Sequence, residues 1–117
     1  MRFTLLMSYS EAGGAALSPD EMEAGRAAFD EYGASLSAAG VLVAAEVFTP
    51  LAAGVTITGG AVVPTDTSGP EQLSGVFVID AADEAAAVEW AKQCPAAEWG
   101  TVVVRASAVS FVDGDWR

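Results

Sequence analysis

Three side chains stand where they could do chemistry. Glu46 is the one charge in residues 41–48, where strict alternation puts it on a face with Leu42, Ala44 and Phe48. A carboxylate on an apolar face is costly unless it meets a cation or hydrogen-bond donors. Alone in a cavity its pKa rises, and it becomes a candidate general base near neutral pH. Arg105 ends the apolar run 101–104. Its donor fork suits a carboxylate, either that of Glu46 or that of a ligand. Alternation leaves open whether the two share a face: Glu46 lies with Leu42, Arg105 with Thr101 and Val103. Tyr9 closes the first apolar run and could offer its hydroxyl to a ligand. Each has a bland counterpart: solvated strand-end charges, and a tyrosine that only packs.

Other chemistries are excluded by composition. The chain has no histidine, so no imidazole base, Ser–His or Cys–His pair, or imidazole metal ligand exists. Cys94 is the single cysteine, which rules out an intrachain disulfide and a thiolate metal cluster. Only Lys92 stands near it in sequence, so it reads as a small buried residue at a helix end rather than a reactive thiolate. A net charge of −11 repels phosphate backbones and anionic lipid, so neither nucleic acid nor membrane is an expected partner. The acids at 20, 21, 23, 30 and 31 read as a solvated helix face. Gly13-Gly14 lacks the length and lysine of a phosphate loop. Trp90 and Trp99 read as core or interface residues. No signal peptide or spanning segment is evident, and a soluble cytoplasmic protein without cofactor or metal is expected.

The elements that must position these residues follow from periodicity. Residues 2–9 alternate as a strand, and 10–17 read as a flexible loop. Ser18-Pro19-Asp20-Glu21 is a helix start with a capping box, and Gly40 ends that helix. Met22, Phe29 and Leu36, with Gly25, Tyr32 and Ala39 between them, form its apolar stripe. Residues 41–48 form a second strand, and 55–58 and 61–63 a hairpin around Gly59-Gly60. Residues 64–75 are a loop and 76–80 a strand. Asp80 is expected to cap a helix over 81–93, stopped by Pro95. Residues 101–106 are the last strand of the main pattern. Residues 107–117 form an extension with a further strand over 108–112, a turn at Asp113-Gly114-Asp115, and a tail.

The order is βαβ, hairpin, βαβ: an α+β fold with a ferredoxin-like sheet, two helices on one face and an inserted β-hairpin. Strands 41–48, 76–80 and 101–106 are apolar on both faces, and two helices cover only one. A second copy is the economical cover for the other, giving a barrel-like homodimer.

The chain resembles the YCII-related family, specifically its DGPF-domain branch. The matching pieces run in order over residues 1–106. They include the opening Arg2-Phe3-Thr4-Leu5-Leu6-Met7, then Leu17-Ser18-Pro19-Asp20-Glu21-Met22 and Ala39-Gly40-Val41-Leu42-Val43. Thr65-Asp66, the run from Glu71 to Asp80, and Cys94-Pro95-Ala96-Ala97 follow. The resemblance implies a dimeric α/β barrel with a pocket between sheet and partner. It also marks Asp66 and Ser68 as candidates, in the loop of the family's Asp-Gly-Pro-Phe signature. Here Asp66 is followed by Thr67-Ser68-Gly69-Pro70, a degenerate version. The family's His–Asp pair cannot exist. Asp before a turn more often caps that turn than does chemistry.

The expectation is a homodimeric binding or regulatory module for a small organic ligand. Tyr9, Ser68 and Arg105 are its ligand-binding candidates. The alternative is a cofactor-free lyase, cyclase or isomerase with Glu46 or Asp66 as the catalytic carboxylate. A purely structural interaction protein is the third reading.

Overall fold

The computed structural model describes all 117 residues. In chain order the elements are β1 (Arg2–Tyr9), α1 (Glu11–Ala15), α2 (Pro19–Ala38), β2 (Leu42–Val47), a 3-10 turn (Leu51–Ala53), β3 (Thr56–Thr58), β4 (Ala61–Val63), β5 (Gln72–Asp80), α3 (Glu84–Lys92), α4 (Ala96–Trp99), β6 (Thr101–Ala106), β7 (Phe111–Val112) and β8 (Asp115–Trp116). The four long strands form one antiparallel sheet in the order β2-β5-β1-β6. β3–β4 and β7–β8 are separate hairpins.

Strand β1 shows why the sheet has two unlike faces. Phe3, Leu5 and Met7 are at most 1 % exposed. Thr4, Leu6 and Ser8 between them are partly exposed and point the other way. Phe77 and Ile79 of β5 join the buried set, as do Tyr32 and Leu36 of α2 and Ala87 and Ala91 of α3. Both long helices therefore cover the Phe3/Leu5/Met7 face. The aromatic rings of Tyr32 and Phe77 meet edge-on at 5.1 Å, and the Tyr32 hydroxyl donates to the Trp90 carbonyl at 2.7 Å, joining α2, sheet and α3.

Local signals at the ends of α2 act as the sequence predicts. Ser18 Oγ accepts from the Glu21 N–H at 3.2 Å, and Glu21 Oε1 accepts from the Ser18 N–H at 3.0 Å. At the other end Gly40 has φ +72°. The Gly40 N–H donates to the Ser37 carbonyl and the Val41 N–H to that of Leu36, which satisfies carbonyls the helix leaves open. The stripe is shorter than periodicity suggests: Met22 and Ala39 at its two ends are exposed, and only Tyr32 and Leu36 of α2 are buried. Gly59 and Gly60, both at positive φ, turn β3 into β4 as expected.

Four expectations are corrected. Residues 10–17 are not a plain loop: Ser10 Oγ accepts from the Gly13 N–H at 2.9 Å and starts the one-turn helix α1. Asp80 does not cap a helix. It continues β5, its N–H donating to the Val41 carbonyl, and its carboxylate lies 3.7 Å from Arg2. Asp83 caps α3 instead, accepting from the Ala86 N–H at 2.8 Å. Pro95 does not only stop a helix but begins the short α4. Finally, residues 107–117 hold only Phe111–Val112 of the strand expected over 108–112. They form a tight hairpin of β7 and β8, turned by Asp113 and Gly114 at φ 53° and 82°. No helix is long and apolar enough to cross a membrane.

Candidate functional site

The face of the sheet away from the helices carries the candidates best placed to act together. Strict alternation would put Glu46 with Leu42, but the chain breaks step between Leu42 and Ala44. Leu42 stands opposite Ile79, on the helix side, whereas Ala44 stands opposite Val78 and Glu46 opposite Val76. Val43 is the extra residue of a β-bulge, and it turns Ala44 and Glu46 to the open face. In the same row, Val76 stands opposite Leu6 and Leu6 opposite Val103. Arg105 stands opposite Thr4, in the neighbouring row with Val78 and Ala44. Residues paired across strands point to one face, so Glu46 and Arg105 share the open face. This settles the question that alternation left open.

They do not touch within one chain. β2 and β6 are opposite edges of the sheet, three strand spacings of about 4.8 Å apart, or about 14 Å. Both side chains are exposed, and neither forms an ion pair. Between them lie Leu6, Val76 and Val78, with Leu73 and Val103 more exposed around them. The face also bears Arg2 and Asp80, on the two central strands and close enough to pair.

Tyr9 faces the other way. It alternates with Ser8 and packs on the helix side, edge-on to Trp99 with centroids 6.5 Å apart. Trp99 also meets Phe29 at 5.5 Å. Gly25 makes room for it, because a Cβ there would lie 3.4 Å from the indole ring. The Tyr9 hydroxyl makes no hydrogen bond within the chain, so it can still donate. Asp66 and Ser68 form a closed unit: Asp66 Oδ1 accepts from the Ser68 N–H at 2.9 Å and from its hydroxyl at 2.6 Å. The Ser68 hydroxyl and N–H hold the Asp66 carboxyl below its usual range. This is the turn-capping use of an aspartate, and it leaves Ser68 no free hydroxyl proton. Cys94 is 1 % exposed, with Sγ 3.6 Å from the Met7 sulfur, and burial pushes its thiol pKa up.

Sequence reasoning missed the residues that tie together the Tyr9 end of the sheet. Gln72 accepts from the Glu11 N–H at 2.8 Å and donates to the Gly69 carbonyl at 2.7 Å. Glu11 accepts from the Leu51 N–H at 2.9 Å, and Glu71 from the Thr101 hydroxyl at 2.9 Å. No local pattern announces such long-range partners. A cleft of about 420 Å³ lies beside this end, lined among others by Val55, Val62, Pro64, Thr65 and Thr67. A second, of about 370 Å³, lies between α2 and the α3–α4 segment and includes Tyr32, Cys94 and Trp99. Neither is lined by Glu46, Arg105 or Tyr9. No three cysteine or acidic side chains converge to hold a metal ion.

The ordered strands and helices that build this sheet span the stretch matched by a family model. Residues 1–108 match the model of the YCII-related domain. The chain belongs to the YCII-related family. No curated protein matches it. The YCII-related domain thus includes every candidate residue and the whole four-stranded sheet, and ends before the β7–β8 hairpin.

Proposed function

We propose that this YCII-related protein is a homodimeric binding or regulatory module for a small organic ligand, working without a cofactor. One observation carries the reading: one face of the sheet is uncovered and bears an apolar strip at its centre. Leu6, Val76, Val78 and Val103 form a continuous strip across three strands, bordered along β1 by Thr4 and Ser8. Such a patch marks an interaction surface. The strand order, with the first and third long strands central, supports a ferredoxin-like reading. Two such sheets face to face make the dimeric α/β barrel, with the ligand in the space between them. Arg105 is the anion anchor for that ligand; Tyr9, on the helix side, lies outside that space. The match in order of residues such as Thr65-Asp66 and 71–80 supports the DGPF branch, with a degenerate signature loop. A single buried thiol, needing no oxidising compartment, supports a cytoplasmic setting.

Binding is favoured over catalysis because the chain has no histidine for the family's His–Asp pair and Asp66 is engaged by Ser68. Light scattering tests the assembly: a mass of two chains is expected, and a one-chain mass at micromolar concentration overturns it. Thermal shift with a panel of small mono- and dicarboxylic acids tests the ligand. A rise in Tm that disappears in Arg105→Met is expected. No response across the panel removes the anionic-ligand reading.

A further inference from the structure

The charges of the open face fix how a second copy sits on it. Glu46 lies on one edge strand and Arg105 on the other. On the two central strands Asp80 belongs to β5 and Arg2 to β1. Each acid is therefore on the β2–β5 half of the face and each base on the β1–β6 half.

A face-to-face pair of identical sheets has two simple choices of two-fold axis in the plane of the interface. An axis along the strands lays β2 over the partner's β6 and β5 over the partner's β1. Asp80 then faces the partner's Arg2. Glu46 faces the partner's Val103, one row from the partner's Arg105. Two residues along a strand is about 7 Å, which a glutamate and an arginine reaching toward each other can span. An axis across the strands lays β2 over the partner's β2. It brings Glu46 beside the partner's Glu46 and Arg105 beside the partner's Arg105, like charge against like.

We infer that the second copy docks with its two-fold axis along the strands, and that Glu46 pairs with the partner's Arg105 at both edges of the interface. The inference rests on the homodimer reading above and adds its geometry. It also explains why two opposite charges on one face find no partner within the chain.

The test uses two charge-reversed chains, Glu46→Arg and Arg105→Glu. Both positions are exposed, so each variant is expected to keep the wild-type circular dichroism spectrum. Alone, each places like charges at both edges, and its dimer is expected to weaken by about tenfold or more. Mixed in equal amounts, the two variants restore opposite charges at both edges. One edge then carries the swapped pair, with the base on β2 and the acid on the facing β6, and the other edge carries the native pair. Native mass spectrometry is expected to show mixed dimers in clear excess over either homodimer, an excess that high salt reduces. A statistical mixture, or single variants as tightly dimeric as wild type, overturns the pairing while leaving the homodimer intact. A monomeric wild-type chain overturns both.

Discussion

The two faces of the sheet are built from the same strands, residue by residue in alternation, yet they have opposite fates. Leu5 is fully buried beneath the helices, while its neighbour Leu6 faces out among valines that nothing in the chain covers. The closed face is made of large side chains locked together, including Phe3, Met7, Phe77 and Ile79. The open face is made of smaller aliphatic residues, flatter, with charges at its margins. A face completed within the chain can use irregular, interdigitating shapes. A face proposed to meet a copy of itself is better served by a smooth surface with complementary charge.

The sharpest way to break this comparison is to truncate the neighbours in turn. Leu5→Ala is expected to lose about 2–5 kcal/mol of stability, because the side chain is fully enclosed and leaves a cavity. Denaturant unfolding should show that loss at every protein concentration. Leu6→Asp should leave a folded chain but abolish the concentration dependence of Tm that a dimer imposes. If Leu6→Asp unfolds the chain as Leu5→Ala does, the two faces are not distinct in the way described.

Asp83→Ala sharpens the same contrast from the helix side. Removing the side-chain oxygen that holds the Ala86 N–H should cost about 1 kcal/mol and loosen only the covered face. Hydrogen exchange should rise first in α3, with dimer affinity unchanged. The smallest effect concerns Asp66, which belongs to neither face. Its folded pKa is lowered, first by the Ser68 hydroxyl and then by the Ser68 N–H. Its contribution to stability is therefore present above the unfolded value of about 3.9 and fades as pH falls through the lower folded one. A carboxyl titration by NMR should place Asp66 below a normal aspartate, and Ser68→Ala should move it back up.

How much of this is legible in the sequence depends on the range of the cause. The β1 alternation, the Ser18–Glu21 box, Gly40 and the Gly59-Gly60 hairpin are local, and each is readable from a few adjacent residues. Helix α1 is not, because Glu11 and Gln72, 61 residues apart, fix its place. The face of Glu46 is not, because the bulge at Val43 is a property of pairing with β5. That Glu46 and Arg105 share a face needs the full strand order. The Asp113-Gly114 turn is legible from its own residues, and the short strands beside it show how little flanking sequence a positive-φ turn requires.

The bulge at Val43 acts as a phase shifter. Upstream of it β2 presents Leu42 to the helices; downstream the same odd–even rhythm is inverted, and Glu46 joins the open face. The orientation of that carboxylate is thus encoded by pairing with β5 rather than by residue identity. Deleting Val43 would straighten the ladder and leave Ala44 opposite Val78 and Glu46 opposite Val76, whereas drawing Val43 into the place opposite Val78 would turn Glu46 to the helix side. At this point in the chain the pairing register, and not the alternation of the sequence, decides which face a residue joins.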